Sequence, residues 1–165
     1  MVSSAGPSTS SPAPTATPTP TETLPPLSKY EGLAPVKTMR AWAAALAKDV
    51  NVGDKAAPRA AKLSVASMAS TNEYIVKEDA GVRYWPGPVP FTPTKVTVTG
   101  SKATVLACWW AYGWGLKLST KKPDEPRKIV PTKATLTKVK GVWRMDSAFT
   151  DKFSCAGVSV KGVAW

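Results

Sequence analysis

Apolar residues along this chain follow two periods, and the change between them falls near residue 82. From Pro35 onward, Val36, Met39, Ala43, Leu46 and Val50 recur at helical spacing, with Trp42 beside the same stripe. Lys37, Arg40, Lys48 and Asp49 fall on the other faces. The pattern predicts a helix that carries Pro35 in its first turn and stops at Gly53. A second short helix is predicted over about residues 57–69, with Ala60, Leu63, Val65 and Met68 as its buried positions. Ser70 and Glu73 have the spacing of a capping box for a third helix that ends near Gly81, with Tyr74, Ile75 and Glu78 on neighbouring faces.

Beyond residue 82 the period is two. Val82 to Trp85 reads as a short strand, and Pro86, Gly87, Pro88, Pro90 and Pro93 impose an irregular or edge segment after it. Lys95 to Thr99 alternates, with Val96 and Val98 on one face, and Gly100-Ser101 suits a tight hairpin turn. Lys102 to Tyr112 differs from every other segment. One face holds Ala103, Val105, Ala107, Trp109 and Ala111, and the other Thr104, Leu106, Cys108, Trp110 and Tyr112. Both faces are largely apolar, which predicts a central strand covered on both sides. Gly113-Trp114-Gly115 bends it, and Lys121 to Arg127 is a charged loop. Ile129 to Val139 is a further strand region, interrupted by Pro131. Lys140-Gly141 turns it into Val142 to Phe149, where Trp143, Met145 and Phe149 are in phase and Arg144 and Asp146 lie opposite, spaced for a same-face ion pair. A last alternation, Val158, Val160 and Val163, precedes Trp165. The expected fold class is α+β: N-terminal helices packed on a curved antiparallel β-meander.

Composition divides the chain further. Residues 1–29 are mostly Ser, Thr, Pro and Ala, with Glu22 and Lys29 as their only charges. Such a stretch buries too little apolar surface to offset the entropy of ordering it, so it is expected to be a disordered linker ahead of a domain over residues 30–165. Proline-rich chain extends at roughly 3 Å per residue, a reach of at most about 90 Å, which suits a tether between an anchor and a folded head.

The net charge is +11. Residues 30–94 carry eight basic and six acidic side chains, and residues from Lys95 onward carry thirteen and four, so the C-terminal half is the cationic half. Two readings stand: lysines scattered over a solvated sheet face, or a surface drawn to an anionic partner. Lys outnumbers Arg and no basic helix is present, which fits base readout poorly, so no nucleic acid is expected as a partner. A basic nucleic-acid-binding domain is the third-ranked function.

The chain contains no histidine. That removes the commonest general base and the commonest metal ligand, and with two cysteines it leaves too few good ligands for a structural zinc site. No metal, no cofactor and no catalytic residue is assigned. The acidic residues Asp49, Asp54, Asp146 and Asp151 show no paired spacing, and no nucleophile-elbow or phosphate-loop motif occurs.

With helices and hairpins placed, the domain resembles the nuclear-transport-factor-2-like, or cystatin-like, superfamily, in the form used by secreted and lipid-anchored proteins of actinobacteria. The resemblance rests on the alanine-rich first helix with Val52-Gly53-Asp54 after it, the hairpin from Val96 to Val105, Cys108, and the final hairpin from Leu136 to Met145. It covers about residues 33 to 155. It implies a cone-shaped body and an N-terminal lipid anchor ahead of the linker, hence an extracytoplasmic place, membrane-anchored or associated with the cell wall. Some enzymes of this fold place Asp, His or Tyr inside the cone, and no position of this chain carries over as catalytic.

Two features bear on function. Cys108 and Cys155 are an even pair, and Cys155 lies beyond the last hairpin, able to reach back to the central strand. A bridge between them closes about 48 residues and would stabilise by about 4 kcal/mol in the chain-entropy model. Two separate buried thiols in a reducing compartment are the competing reading. The second feature is the run Trp109, Trp110, Tyr112 and Trp114, in a chain with seven tryptophans. Successive residues of a strand point to opposite faces, so Trp109 and Trp110 are not expected to line one pocket together. The run is either core packing or an apolar pocket or platform for a lipid, sugar or aromatic ligand. Lys117, with Lys121 and Lys122, would add charge for an amphiphilic anion. The leading expectation is a non-enzymatic binding or accessory protein of the cell envelope. Its partner would be an anionic envelope component, a small amphiphilic ligand or another envelope protein. A small isomerase or dehydratase of the same fold is the alternative.

Overall fold

The computed structural model describes residues 29–123 and 125–165. Apart from Lys29, the linker expected over residues 1–29 lies outside the described residues. The order is helices, then strands: α1 (Ala34–Val52), α2 (Pro58–Ala61), a 3-10 turn (Ala66–Met68), α3 (Ala69–Asp79), β1 (Arg83–Tyr84), β2 (Phe91–Thr99), β3 (Lys102–Tyr112), β4 (Leu116–Lys117), β5 (Lys128–Val139) and β6 (Val142–Thr150). The protein is therefore α+β, with helices followed by antiparallel sheets.

The main sheet has the order β2-β3-β5-β6, and β1 and β4 form a separate two-stranded ribbon. Thr99 pairs with Lys102 and Val139 with Val142, so both expected two-residue turns are present. Gly100 and Gly141 take the left-handed backbone that such turns need. The inner face of the sheet is the expected one: Ala103, Val105, Ala107 and Trp109 of β3 are buried with Ala134 and Leu136 of β5 and Trp143 and Met145 of β6. Against them lie Val36, Met39, Trp42, Ala43, Leu46, Ala47 and Val50 of α1. Alanines at 103, 107 and 134 leave room for these larger helix residues, which is how mixed sizes fill a core to native density. Gly53, at φ +74°, closes α1 with its N–H on the carbonyl of Val50.

Several local expectations are corrected. The segment expected as one helix over residues 57–69 is broken: α2 ends at Ala61, and helical turns resume only with the 3-10 turn at Ala66. Leu63 and Val65 then exchange backbone hydrogen bonds with Met145, at 2.8 Å each, and so cover the outer edge of β6. The Ser70–Glu73 pair makes no capping contact: α3 has no side-chain cap, and Glu73 instead bonds Lys77 one turn on. Pro131 does not interrupt β5. Its carbonyl accepts from Asp151 beyond the end of β6, and a strand residue's N–H and C=O point the same way. The missing N–H therefore faces a place where the ladder has already ended.

Val98, one residue pair from the hairpin turn, is exposed rather than buried with the inner face. Phe149 leaves the phase of Trp143 and Met145. A bulge sets Ser147 opposite Thr135 but Met145 opposite Leu136, so Asp146 is the extra residue and Phe149 emerges 71% exposed on the outer face. Asp146 pairs with Lys102 and Thr137 rather than with Arg144. Val158, Val160 and Val163 form no strand, and of the three only Val160 is buried.

The outer face of β3 is covered differently from the inner one. Residues 151–165 run across it as an irregular strap. Cys155 is joined to Cys108 with a Cα–Cα distance of 5.7 Å, inside the usual range. Farther on, the Thr92 hydroxyl donates to the Ser159 carbonyl at 2.7 Å, Arg127 donates to the Val160 carbonyl, and the Trp165 N–H reaches the Pro86 carbonyl at 2.8 Å.

Candidate ligand cavity at the end of the central strand

A cavity of about 410 Å³ opens where β3 ends. Its walls come from α1, α3, Arg83 of β1, the bulged end of β3 and the loop residues Trp85, Val89, Trp114 and Glu125. Trp42, Trp85, Trp109, Trp110 and Trp114 line it, five of the seven tryptophans in the chain. Tyr74 and Tyr112 stand at its exposed edge.

Three of the indoles are fixed through their N–H groups. Trp42 Nε1 donates to Asn72 Oδ1 at 3.1 Å, Trp85 Nε1 to Asp79 Oδ2 at 2.6 Å, and Trp114 Nε1 to the Gly87 carbonyl at 2.9 Å. Asn72 is itself buried and donates onward to the Ser64 hydroxyl, which donates to the Ala60 carbonyl. Such a satisfied chain sets the angle of the Trp42 ring before any ligand arrives. Trp109 stacks on Phe91, with centroids 5.4 Å apart, and Arg40 covers Phe91 from 3.7 Å. Trp110 meets Trp114 edge-on at 5.1 Å, while Arg127 lies 4.0 Å from its ring centroid. The Nε1–H groups of Trp109 and Trp110 are buried without an acceptor among the described residues, a cost that apolar packing around each ring must offset.

Of the expected pocket residues, Trp109, Trp110, Tyr112 and Trp114 are brought together and Lys117 is not. Lys117 lies on β4, paired with Arg83, outside the lining. The expectation that Trp109 and Trp110 are kept apart is corrected. They do take opposite faces, Trp109 among the buried residues that meet α1 and Trp110 on the side of Cys108. The cavity wraps the strand's end, however, where the ladder slips between Trp110 and Tyr112 and Ala111 bulges out. Both rings reach it from their own sides.

The sequence reading missed Trp42 and Trp85 as walls, and Glu78, Asp79, Arg83 and Glu125 as the charged rim. The spacing of Asp79 and Arg83, four apart across the end of α3, is the one local signal for that rim. Asp79 is fully engaged, with Oδ1 accepting from Arg83 and Oδ2 from Trp85. Arg83 also approaches Glu125 at 3.7 Å. Asp49, a fully buried carboxylate, lies outside the cavity. It accepts from the backbone N–H groups of Arg59 and Ala60 at 3.1 and 2.9 Å and from the Arg59 guanidinium at 2.9 Å, and so holds the start of α2.

No protein-family model matches the chain, and no curated protein matches it. Among solved structures, a SEC-C motif containing protein from Rhodopseudomonas palustris aligns with 74% of this chain and 92% of its own, at 11% identity and a TM-score of 0.41.

Proposed function

We propose that the chain is the ligand-binding head of an accessory protein of the cell envelope, holding a small, largely apolar molecule in the tryptophan-lined cavity without transforming it. In this reading the helices and the four-stranded meander form a cone of the nuclear-transport-factor-2-like or cystatin-like kind, and the cavity is its mouth. The Ser/Thr/Pro linker tethers this head to an N-terminal anchor.

The observation that carries the proposal is the lining itself. A concave site of this size, mostly aromatic and with three of its rings fixed in advance by hydrogen bonds, fits the general form of a preformed small-molecule site. The carboxylate nearest the interior, Asp79, is held by Arg83 and Trp85, so using it as an acid or base would first break that pair. The Cys108–Cys155 bridge suits an oxidising compartment. No described helix is long and apolar enough to cross a membrane.

The test follows the indole N–H signals of the full chain by nuclear magnetic resonance during titration with small aromatic and aliphatic compounds. Binding should shift the signals of Trp85, Trp110 and Trp114, and Ala111→Trp, which fills the mouth, should abolish the shifts. If no compound moves these signals, or if Ala111→Trp binds as well as the parent, the cavity is not the site.

A further inference from the structure

We infer that the uncovered outer face of the main sheet is a docking surface for a linear, phosphate-bearing polymer without bases. The inference is independent of the cavity. β2, β3, β5 and β6 with their two hairpin turns carry seven basic side chains and one acidic one, Asp146. The helical part over residues 30–82 carries seven and six. The excess charge thus belongs to the sheet, and the register sets it in rows. Lys95 pairs with Leu106, Leu106 with Lys133 and Lys133 with Phe149, which makes one row across the four strands. Thr99, Lys102, Thr137 and Arg144 make another, nearer the turns. Between them runs a row of hydroxyls, Thr97, Thr104, Thr135 and Ser147. All three rows lie on the outer face, opposite the buried Val105, Leu136 and Met145.

The cations of this face are not answered in kind. Asp146 pairs with Lys102 at 3.1 Å, and Lys95, Lys133 and Arg144 make no ion pair with a described residue. Asp151, at the margin where the strap begins, is followed by Lys152. Residues two apart on a strand are about 7 Å apart. An anion on the hydroxyl row therefore lies about 7 Å from each cationic row, inside the screening length of about 8 Å at physiological salt. Its oxygens also find donors beneath them. Thr97 and Thr104 have no other side-chain partner among the described residues, and the Thr135–Ser147 pair, at 2.7 Å, uses only one of its two protons. The row is an open track across four strands rather than a pocket, so it fits repeated anionic groups on one chain better than a single ion. Three of the four cations are lysines, which serve phosphate as point charges, whereas planar carboxylates favour the arginine fork. Phe149 alone, at the margin, makes no platform for successive bases. The same scarcity of apolar side chains gives a bilayer little to bury.

The experiment titrates a short linear polyphosphate into the full oxidised chain, read by calorimetry and by backbone amide signals. Binding should shift the amides of Thr97, Thr104 and Thr135, and log affinity should fall against log salt with a slope of about −2 to −3, as three to four phosphate contacts require. Lys95→Gln, Lys133→Gln and Arg144→Gln together should weaken binding about thirtyfold. Lys37→Gln, Lys55→Gln and Lys62→Gln, in the helical part, remove the same charge and should weaken it less than about threefold. The five lysines are exposed and Arg144 is half-buried, so both triple variants are expected to melt with the parent. Equal weakening by the two triple variants overturns the face as the site, and orthophosphate binding as tightly as polyphosphate overturns the track. Tighter binding to phosphatidylglycerol vesicles, or to oligothymidylate of equal charge, puts a bilayer or a nucleic acid in the polymer's place and overturns the inference. Failure of polyphosphate to bind at low salt overturns it outright.

Discussion

The two faces of β3 are covered by opposite means. On the inner face, α1 presents an unbroken stripe from Val36 to Val50, and the contact is apolar burial from end to end. On the outer face, the strap over residues 151–165 buries only Val160 among its valines and runs without helix or strand. It is held instead by one covalent bond at Cys155, by backbone and side-chain hydrogen bonds at Ser159, Val160 and Trp165, and by close backbone approach at Gly162. An amphipathic helix can dock through the hydrophobic effect alone, because its periodicity concentrates apolar area on one side. An irregular segment with few apolar residues cannot, and needs point attachments to offset the entropy of being ordered. The two coverings should therefore fail differently: the inner one by losing the fold, the outer one by peeling.

The sharpest test of the inner face is Trp42→Ala. Trp42 is buried against the helix side of the sheet, 6.1 Å from Trp109 between ring centroids, and its N–H is the partner of Asn72. Truncation empties a large volume and orphans a buried amide oxygen, for a cost of about 4 kcal/mol. Thermal and denaturant unfolding should shift as one cooperative transition. A loss under about 1 kcal/mol would mean that α1 is not the covering that matters.

On the outer face, replacing Cys108 and Cys155 together by Ser should cost about 3 kcal/mol, less than the loop-length estimate of about 4 kcal/mol if the reduced chain keeps some structure. Hydrogen exchange separates the two consequences. The amides of residues 158–165 should lose protection far below the global transition, while those of β3 and β5 keep theirs. If strap and sheet lose protection together, the strap belongs to the core rather than lying on it.

A finer blow to the same face is Gly162→Ala. A Cβ there would meet ring atoms of Trp114 at 2.2 and 2.4 Å. Trp114 cannot readily yield, being buried and bonded to the Gly87 carbonyl. The far end of the strap should lift, at a cost of about 1–2 kcal/mol, with the disulfide intact and the global melting temperature nearly unchanged. The tryptophan fluorescence of the cavity should change with it, because Trp114 joins the strap to the cavity wall. An unchanged spectrum would separate the two.

This division explains what the sequence reveals and what it conceals. α1 is legible residue by residue, since Val36, Met39, Trp42, Leu46 and Val50 declare a single stripe and all are buried. β3 is legible from its two apolar faces, and its expected ends at Lys102 and Tyr112 are the observed ones. The disulfide can be read from an even cysteine count and the position of Cys155, and it is formed. The errors fall where tertiary pairing overrides local pattern. Leu63 to Val65 leave a helical pattern to cover the edge of β6, and the bulge at Asp146 turns Phe149 outward. Neither event leaves a mark in its own segment, because each depends on pairing with another strand, β6 for Leu63 to Val65 and β5 for the bulge. The cavity is half legible. The aromatic run announces one wall, but Trp42, Trp85 and the carboxylates of the rim come from helices and loops that only the fold assembles. The alternation argument about Trp109 and Trp110 is sound for the body of a strand and fails at its end, where a cavity can be reached from both sides.

The smallest expected effect concerns the uncovered part of the outer face, near the hairpin turns, where neither helix nor strap lies. There Asp146 accepts from the Thr137 hydroxyl at 2.6 Å and from Lys102 Nζ at 3.1 Å. The hydrogen bond from Thr137 first, then that from Lys102, holds its carboxyl below the ordinary value of 3.8. A carboxyl whose pKa is lowered on folding stabilises the folded state when ionised. Its contribution is present in full above the unfolded value and is lost as pH falls through the lowered folded one. Lys102 is largely exposed, so screening keeps the contribution below about 1 kcal/mol. Asp146→Asn should therefore lower stability slightly at pH 7, and the gap between variant and parent should close as the solution is acidified through and below 3.8. Salt should shrink the gap at neutral pH, whereas it should leave the cost of Trp42→Ala nearly untouched. A gap that persists undiminished in acid would mean that the loss in Asp146→Asn comes from the packing of the bulge and not from the charge.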